Sequence, residues 1–182
     1  METKATVEGR TRIDTKSLVI TALFVALSFA GANIKILGSI AFDSLPGFVG
    51  ALLLGPAFGA AIGFLGHMFT SLTSGFPLSV PLHIVIGLSM ALTMLGFGLS
   101  YRTLQSKLSR SANVAITGAV GVALNGPVSL ALSMGALALM AGKDAAIGLL
   151  ALFPALMVAS VANVVASLLI FKPLESVWAR IR

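Results

Sequence analysis

Cysteine is absent from this 182-residue chain, which excludes disulfide staples, thiolate metal sites and cysteine nucleophiles and leaves the redox compartment open. Charge is nearly as scarce. Asp, Glu, Lys and Arg make up 10% of the sequence, against roughly a quarter in an ordinary soluble chain, too few to wet the surface of a soluble domain. Catalytic signatures are missing as well: no G-x-x-x-x-G-K-[ST] phosphate loop, no H-E-x-x-H and no G-x-S-x-G occurs, so the chain cannot hydrolyse ATP alone. Its two histidines have no carboxylate or thiolate companion on the same helix and make a poor zinc site. No chain of intramembrane acids is present for proton coupling. Neither an enzyme nor a metal centre is expected, and no cofactor.

What is there is apolar: 57% of the residues are hydrophobic and the mean hydropathy is +1.03. A helix needs roughly 20 mostly apolar residues to cross the hydrocarbon core, and the apolar runs predict an all-α membrane bundle of six transmembrane helices. These are placed at about 17–33, 44–55, 56–73, 80–101, 112–141 and 145–171, behind a polar leader 1–16 and ahead of an interfacial tail 173–182. The stretch 42–72 is too long for one untilted span and is split at Gly55-Pro56. Gly126-Pro127 is expected to kink the fifth helix and Pro154 the sixth, because proline removes a backbone donor and clashes with the preceding turn.

The net charge of +6 could suggest nucleic acid, but its distribution is topological. Lys4, Arg10, Arg12 and Lys16 lie in the leader, Arg102, Lys107 and Arg110 after the fourth helix, and Lys172, Arg180 and Arg182 in the tail, which is ten of the twelve cations. Positive residues stay on the cytoplasmic side. Six spans put all three clusters there and leave only Lys35 and Lys143 outside; five spans would split them. Trp178, the single tryptophan, suits the cytoplasmic interface.

Three features exceed generic packing. Small residues recur every four positions, as Ala22, Ala26 and Ala30 on the first helix and Gly55, Gly59 and Gly63 on the third. Such stripes let helices approach closely in lipid, within the bundle or against a partner. Second, polar residues occur at membrane depth, where burial is costly and usually functional. Lys35, Asp43, His67 and His83 fall toward the outer half. Asn125 and Asn163 lie near mid-depth, and Ser129 and Ser133 continue outward from Asn125 on one helical face. The histidines are satisfied interfacial residues or ligand contacts, and the asparagines interhelical hydrogen bonds or ligand contacts. Asp43 caps its helix, joins a pocket, or does both. Third, the outer loop 72–81, LTSGFPLSVP, carries Phe76 and turn chemistry at Gly75, Pro77 and Pro81. It could close over a polar pocket.

The basic leader, TALFVALSFAGANIK with its Ala-x-x-x-Ala stripe, and AFDSLPGFVGALLLGPAFGAAIGFLGHMFTSLTSGFP together resemble the substrate-binding S components of energy-coupling factor (ECF) vitamin transporters, over nearly the whole chain. The resemblance implies a six-helix protein of the bacterial cytoplasmic membrane that binds a small molecule at its outer face, between the outer loops and helices four to six. It implies partners too: a separate T membrane subunit and two cytoplasmic ATPases, with the S component toppling in the membrane to release ligand inside. Carried over by position, Ala22 and Ala26, with Ala30 on the same stripe, face the T subunit, and 72–81 is the gate. The run GANIKI…SIAFDSLPGF…GHMFTSLTSGFPL…PLH most resembles members assigned to α-ribazole, a nucleoside precursor of cobalamin. Lys35, Asp43, His67, Phe76, His83, Asn125, Ser129 and Asn163 are then the substrate-binding set, with Phe42 and Phe76 stacking on the benzimidazole. Pantothenate is a rival whose carboxylate would use Lys35, and a small secondary facilitator is a second rival. Nickel and cobalt members carry a histidine just behind the initiator Met. Met1-Glu2-Thr3 lacks it, which argues against metal uptake.

Overall fold

The computed structural model describes residues 14–33, 35–36 and 40–181; most of the leader lies outside them. The first helix, α1 (Thr15–Asn33), is capped by Asp14, whose carboxylate accepts the Ser17 N–H at the positive end of the helix dipole. A two-residue antiparallel ladder follows, β1 (Lys35–Ile36) against β2 (Ile40–Ala41), with Lys35 opposite Ala41. The chain then runs back along α1. Phe42 N–H donates to the Gly31 carbonyl at 3.2 Å, and Ser28 Oγ donates to the Asp43 carbonyl at 2.5 Å.

That return delivers α2 (Leu45–Leu53) into the middle of the bundle, where every residue from Pro46 to Leu52 is buried. At nine residues it is about 14 Å long, and it touches α1 and three later helices, Pro56–Thr73, Val80–Leu104 and Phe153–Ile181. Its N-cap is Ser44, whose side chain makes no capping bond; the Asp43 carboxylate instead accepts the Ser44 hydroxyl at 3.3 Å. The helix ends where Gly55 turns at φ 124°, a conformation open to glycine. A Cβ there would also lie 2.7 Å from Arg102 Nη2. Pro56 then opens α3 (Pro56–Thr73), its missing N–H costing nothing at a first helical turn.

The Gly stripe is spent inside the bundle. A Cβ on Gly59 would lie 2.6 Å from Ala51 Cα on α2, and one on Gly63 3.0 Å from Met94 Cγ on α4, which is α4 (Val80–Leu104). The Ala stripe is not: Ala22, Ala26 and Ala30 are exposed, while α1 buries Val25, Ser28, Gly31 and Ala32. Phe48, Met94, Phe97, Tyr101, Val164 and Phe171 form the core. In it the Phe48 and Phe97 rings meet edge to face at 4.8 Å, and Tyr101 and Phe171 do so at 5.4 Å.

The fifth rod is α5 (Arg110–Ala123), a π-helical turn (Leu124–Val128) and α6 (Ser129–Ala141). Pro127 lies within that turn, where the wider i→i+5 pattern absorbs a residue that cannot donate. The last rod is α7 (Lys143–Gly148), a 3-10 turn (Leu149–Leu152) just ahead of Pro154, and α8 (Phe153–Ile181). The helix does not stop where the apolar run does: α8 passes through Pro173 and continues to Ile181, within the segment placed from sequence in the tail. Tertiary contacts hold that extension. Arg110 Nη2 donates to Glu175 Oε2 at 2.7 Å, and Lys16 Nζ lies 5.5 Å from the centre of the Trp178 ring. The start of α1, the start of α5 and the end of α8 therefore share one end of the bundle.

Among the described residues four helical stretches are long and apolar enough to cross a membrane: Thr15–Asn33, Val80–Leu104, Arg110–Ala141 and Lys143–Arg180. The α2–α3 pair is the part of the six-span expectation outside that set.

Candidate functional site

The α3–α4 connection is the most constrained backbone among the described residues. Its two non-glycine residues at positive φ are Phe76 (49°) and Ser79 (104°), regions in which side chains are strained and which concentrate at functional positions. Phe76 N–H donates to the Ser71 carbonyl at 2.9 Å, which folds the loop back over the end of α3. Ser79 Oγ accepts the Leu82 N–H at 3.5 Å and starts α4.

Beneath this loop three side chains converge. His67 Nε2 and His83 Nδ1 are 3.2 Å apart, and Ser71 Oγ is 3.2 Å from the first and 3.0 Å from the second. Ser71 also donates to the His67 carbonyl at 2.8 Å. The Phe76 ring stands edge-on to His83 with centroids 5.7 Å apart. The fold thus brings together His67, His83 and Phe76, three of the residues singled out from the sequence. Ser71 was missed; it lies one turn after His67 on the same α3 face, and that spacing was the available signal.

A second polar group runs between α4, α6 and α8. Ser89 Oγ donates to Ser129 Oγ at 2.8 Å, Ser133 Oγ to the Ser129 carbonyl at 2.8 Å, and Asn125 Nδ2 to Ser160 Oγ at 3.0 Å. Asn163 Nδ2 donates to its own helix at the Ala159 carbonyl, 2.8 Å away. All of these side chains are buried. Asn125 and Ser129 hydrogen-bond to different helices, Asn125 to Ser160 on α8 and Ser129 to Ser89 on α4. Ser89 and Ser160 were not singled out from the sequence, although Ser160 lies one turn before Asn163.

Asp43 makes a third, separate location beside Ser44 and Ser28. The Lys35 side chain lies outside the described residues. Among those described, no group of three or more His, Cys, Asp or Glu converges to hold a metal ion. On the outside of the bundle, Ala22 and Ala26 line an apolar groove of about 640 Å³ with Leu18, Val25, Leu65 and Phe69.

Long apolar helices around a buried, hydroxyl-rich interior define a polytopic membrane protein. Residues 16–175 match the family model for the ECF transporter, substrate-specific component, and the chain belongs to that family. Its members are integral membrane transport proteins, not enzymes, that take a small-molecule substrate and work with an ECF T subunit and ATPases. No curated protein and no solved structure matches the chain.

Proposed function

We propose that this S component captures α-ribazole or a closely related cobalamin precursor, and spans the bacterial cytoplasmic membrane six times with both ends inside. The observation that carries the ligand reading is the chemistry of the interior. The buried polar side chains among the described residues are serines, threonines, asparagines and the His83 imidazole, with no lysine or arginine. Such a lining pairs with hydroxyls and ring nitrogens; a fixed anion would need a cation to offset its desolvation. A neutral nucleoside meets that lining, and Phe76 and Phe42 offer faces to its benzimidazole. In this reading His67, His83, Asn125, Ser129, Asn163 and Asp43 serve the ribose and base, with Lys35 at the rim. The 74–79 loop closes over them, and the exposed Ala22, Ala26 and Ala30 stripe receives the T subunit.

Pantothenate remains the second reading, through the Lys35 ammonium. Titration calorimetry of the purified chain against α-ribazole, pantothenate, cobalamin and riboflavin decides between them. Tight binding of α-ribazole alone is expected. Silence with α-ribazole beside tight binding of another ligand overturns the choice. A facilitator is separated by liposome uptake: an S component does not concentrate ligand without its T subunit, ATPases and internal ATP.

A further inference from the structure

The protons in the His67–Ser71–His83 triangle can be assigned by counting. Ser71 Oγ carries one hydrogen, and its shortest acceptor is the His67 carbonyl at 2.8 Å, one turn back on α3, a common arrangement for a helical serine. With that hydrogen engaged, Oγ offers only lone pairs to His83 Nδ1 at 3.0 Å and His67 Nε2 at 3.2 Å. The two nitrogens are themselves 3.2 Å apart. Two bare lone pairs facing each other repel, and so do two N–H groups, so one of the two nitrogens holds the proton. His83 Nδ1 has the shorter reach to Ser71, and an N–H there serves both Ser71 Oγ and His67 Nε2. A neutral imidazole protonated at Nδ1 has a bare lone pair at Nε2.

His83 Nε2 is buried and makes no hydrogen bond among the described residues, in a residue 7% exposed. An acceptor left unmade in a low-dielectric interior is costly. Here the rest of the ring is pinned, by Ser71 and His67 at Nδ1 and by the Phe76 edge, so the free nitrogen keeps one direction. We infer that His83 Nε2 is the acceptor for a hydroxyl or N–H of the substrate, and that Ser71 is the positioning residue holding His83 in the form that accepts. This rests on the reading that His83 lines the substrate site. It deepens that reading by setting the chemical class: the ligand brings a hydrogen-bond donor to this point. A carboxylate or phosphate oxygen, which brings only lone pairs, is refused. Phe76 covers the ring, so the 74–79 loop lifts to admit the donor.

The test uses the full chain labelled with ¹⁵N-histidine in lipid nanodiscs. With two histidines in the sequence, His67→Gln assigns the spectrum, and long-range ¹H–¹⁵N correlations at neutral pH report which nitrogen of His83 is protonated. The expected result is Nδ1–H with a bare Nε2 in the wild type and in Ser71→Thr, and a mixture of tautomers in Ser71→Ala. A wild-type His83 protonated at Nε2 overturns the acceptor role, and a Ser71→Ala spectrum unchanged overturns the positioning role. Adding α-ribazole should move the His83 Nε2 resonance toward the hydrogen-bonded position. Ser71→Ala should weaken binding about tenfold, the size of one lost charge-free hydrogen bond, with Ser71→Thr close to wild type. Calorimetric heat without that shift overturns the contact at His83 alone. Absence of both heat and shift overturns the α-ribazole assignment and the donor contact together, and leaves the tautomer result standing.

Discussion

Gly59 and Ala22 look alike in the sequence, each a small residue repeated at four-residue spacing, yet they face opposite ways. Gly59 lies where a Cβ would be 2.6 Å from Ala51 Cα and 2.8 Å from Ala51 N, so a side chain must push α2 backbone aside. Gly59→Val should destabilise the bundle by about 1–3 kcal/mol, the usual cost of overpacking, read as a lower thermal midpoint in detergent. Ala22 and Ala26 line an open groove. Ala22→Trp with Ala26→Trp should leave the midpoint and ligand binding near wild type while abolishing ATP-driven uptake through the reconstituted T subunit. Unchanged uptake would remove the T-subunit role from that stripe. The spacing was legible in the sequence; the direction was not, because both stripes satisfy the same local rule. What separates them is tertiary: Gly59 is opposed by α2, a helix short enough to be enclosed.

At the scale of elements, periodicity revealed the polar residues but not their partners. Asn125, Ser129 and Asn163 stand out in apolar runs, and a uniform helical period puts the first two on one face. Their hydrogen bonds run to different helices, α8 for Asn125 and α4 for Ser129, which period alone does not show. Ser89 and Ser160 were passed over because one serine in an apolar helix carries no local signal; its meaning comes from what the neighbouring helix sets opposite. The Ser89–Ser129 bond, buried at both ends and 2.8 Å long, is the cleanest test of what such a rung contributes. A cycle of Ser89→Ala, Ser129→Ala and the double variant should give a coupling of about 0.6 kcal/mol, the average for hydrogen bonds between membrane helices. A coupling near zero would mean that Ser129 finds another partner when Ser89 is lost.

For the whole molecule, the distribution of cations in the sequence and the packing at one end of the bundle bear on the same question, the number of passes. Lys16 against Trp178 and Arg110 against Glu175 draw the start of α1, the start of α5 and the end of α8 to a single end, which requires an even number of passes between the termini. In the topology we propose, that end is the cytoplasmic one, by the positive-inside rule. The rod Arg110–Ala141 then carries the chain to the opposite face, where Lys143 and the 74–79 loop lie. The chain has no cysteine, so single thiols can be placed without a background. Lys107→Cys and Lys172→Cys should react with an impermeant maleimide only after the cells are opened, and Ser74→Cys and Lys143→Cys in intact cells. All four positions are exposed in the fold, so none is silenced by packing within the bundle. Labelling of Lys107→Cys and Lys143→Cys from the same side would break the rod's crossing. Exchange of the two pairs would keep the fold and invert it, placing the histidine triangle at the cytoplasmic face and overturning the proposed outward-facing site.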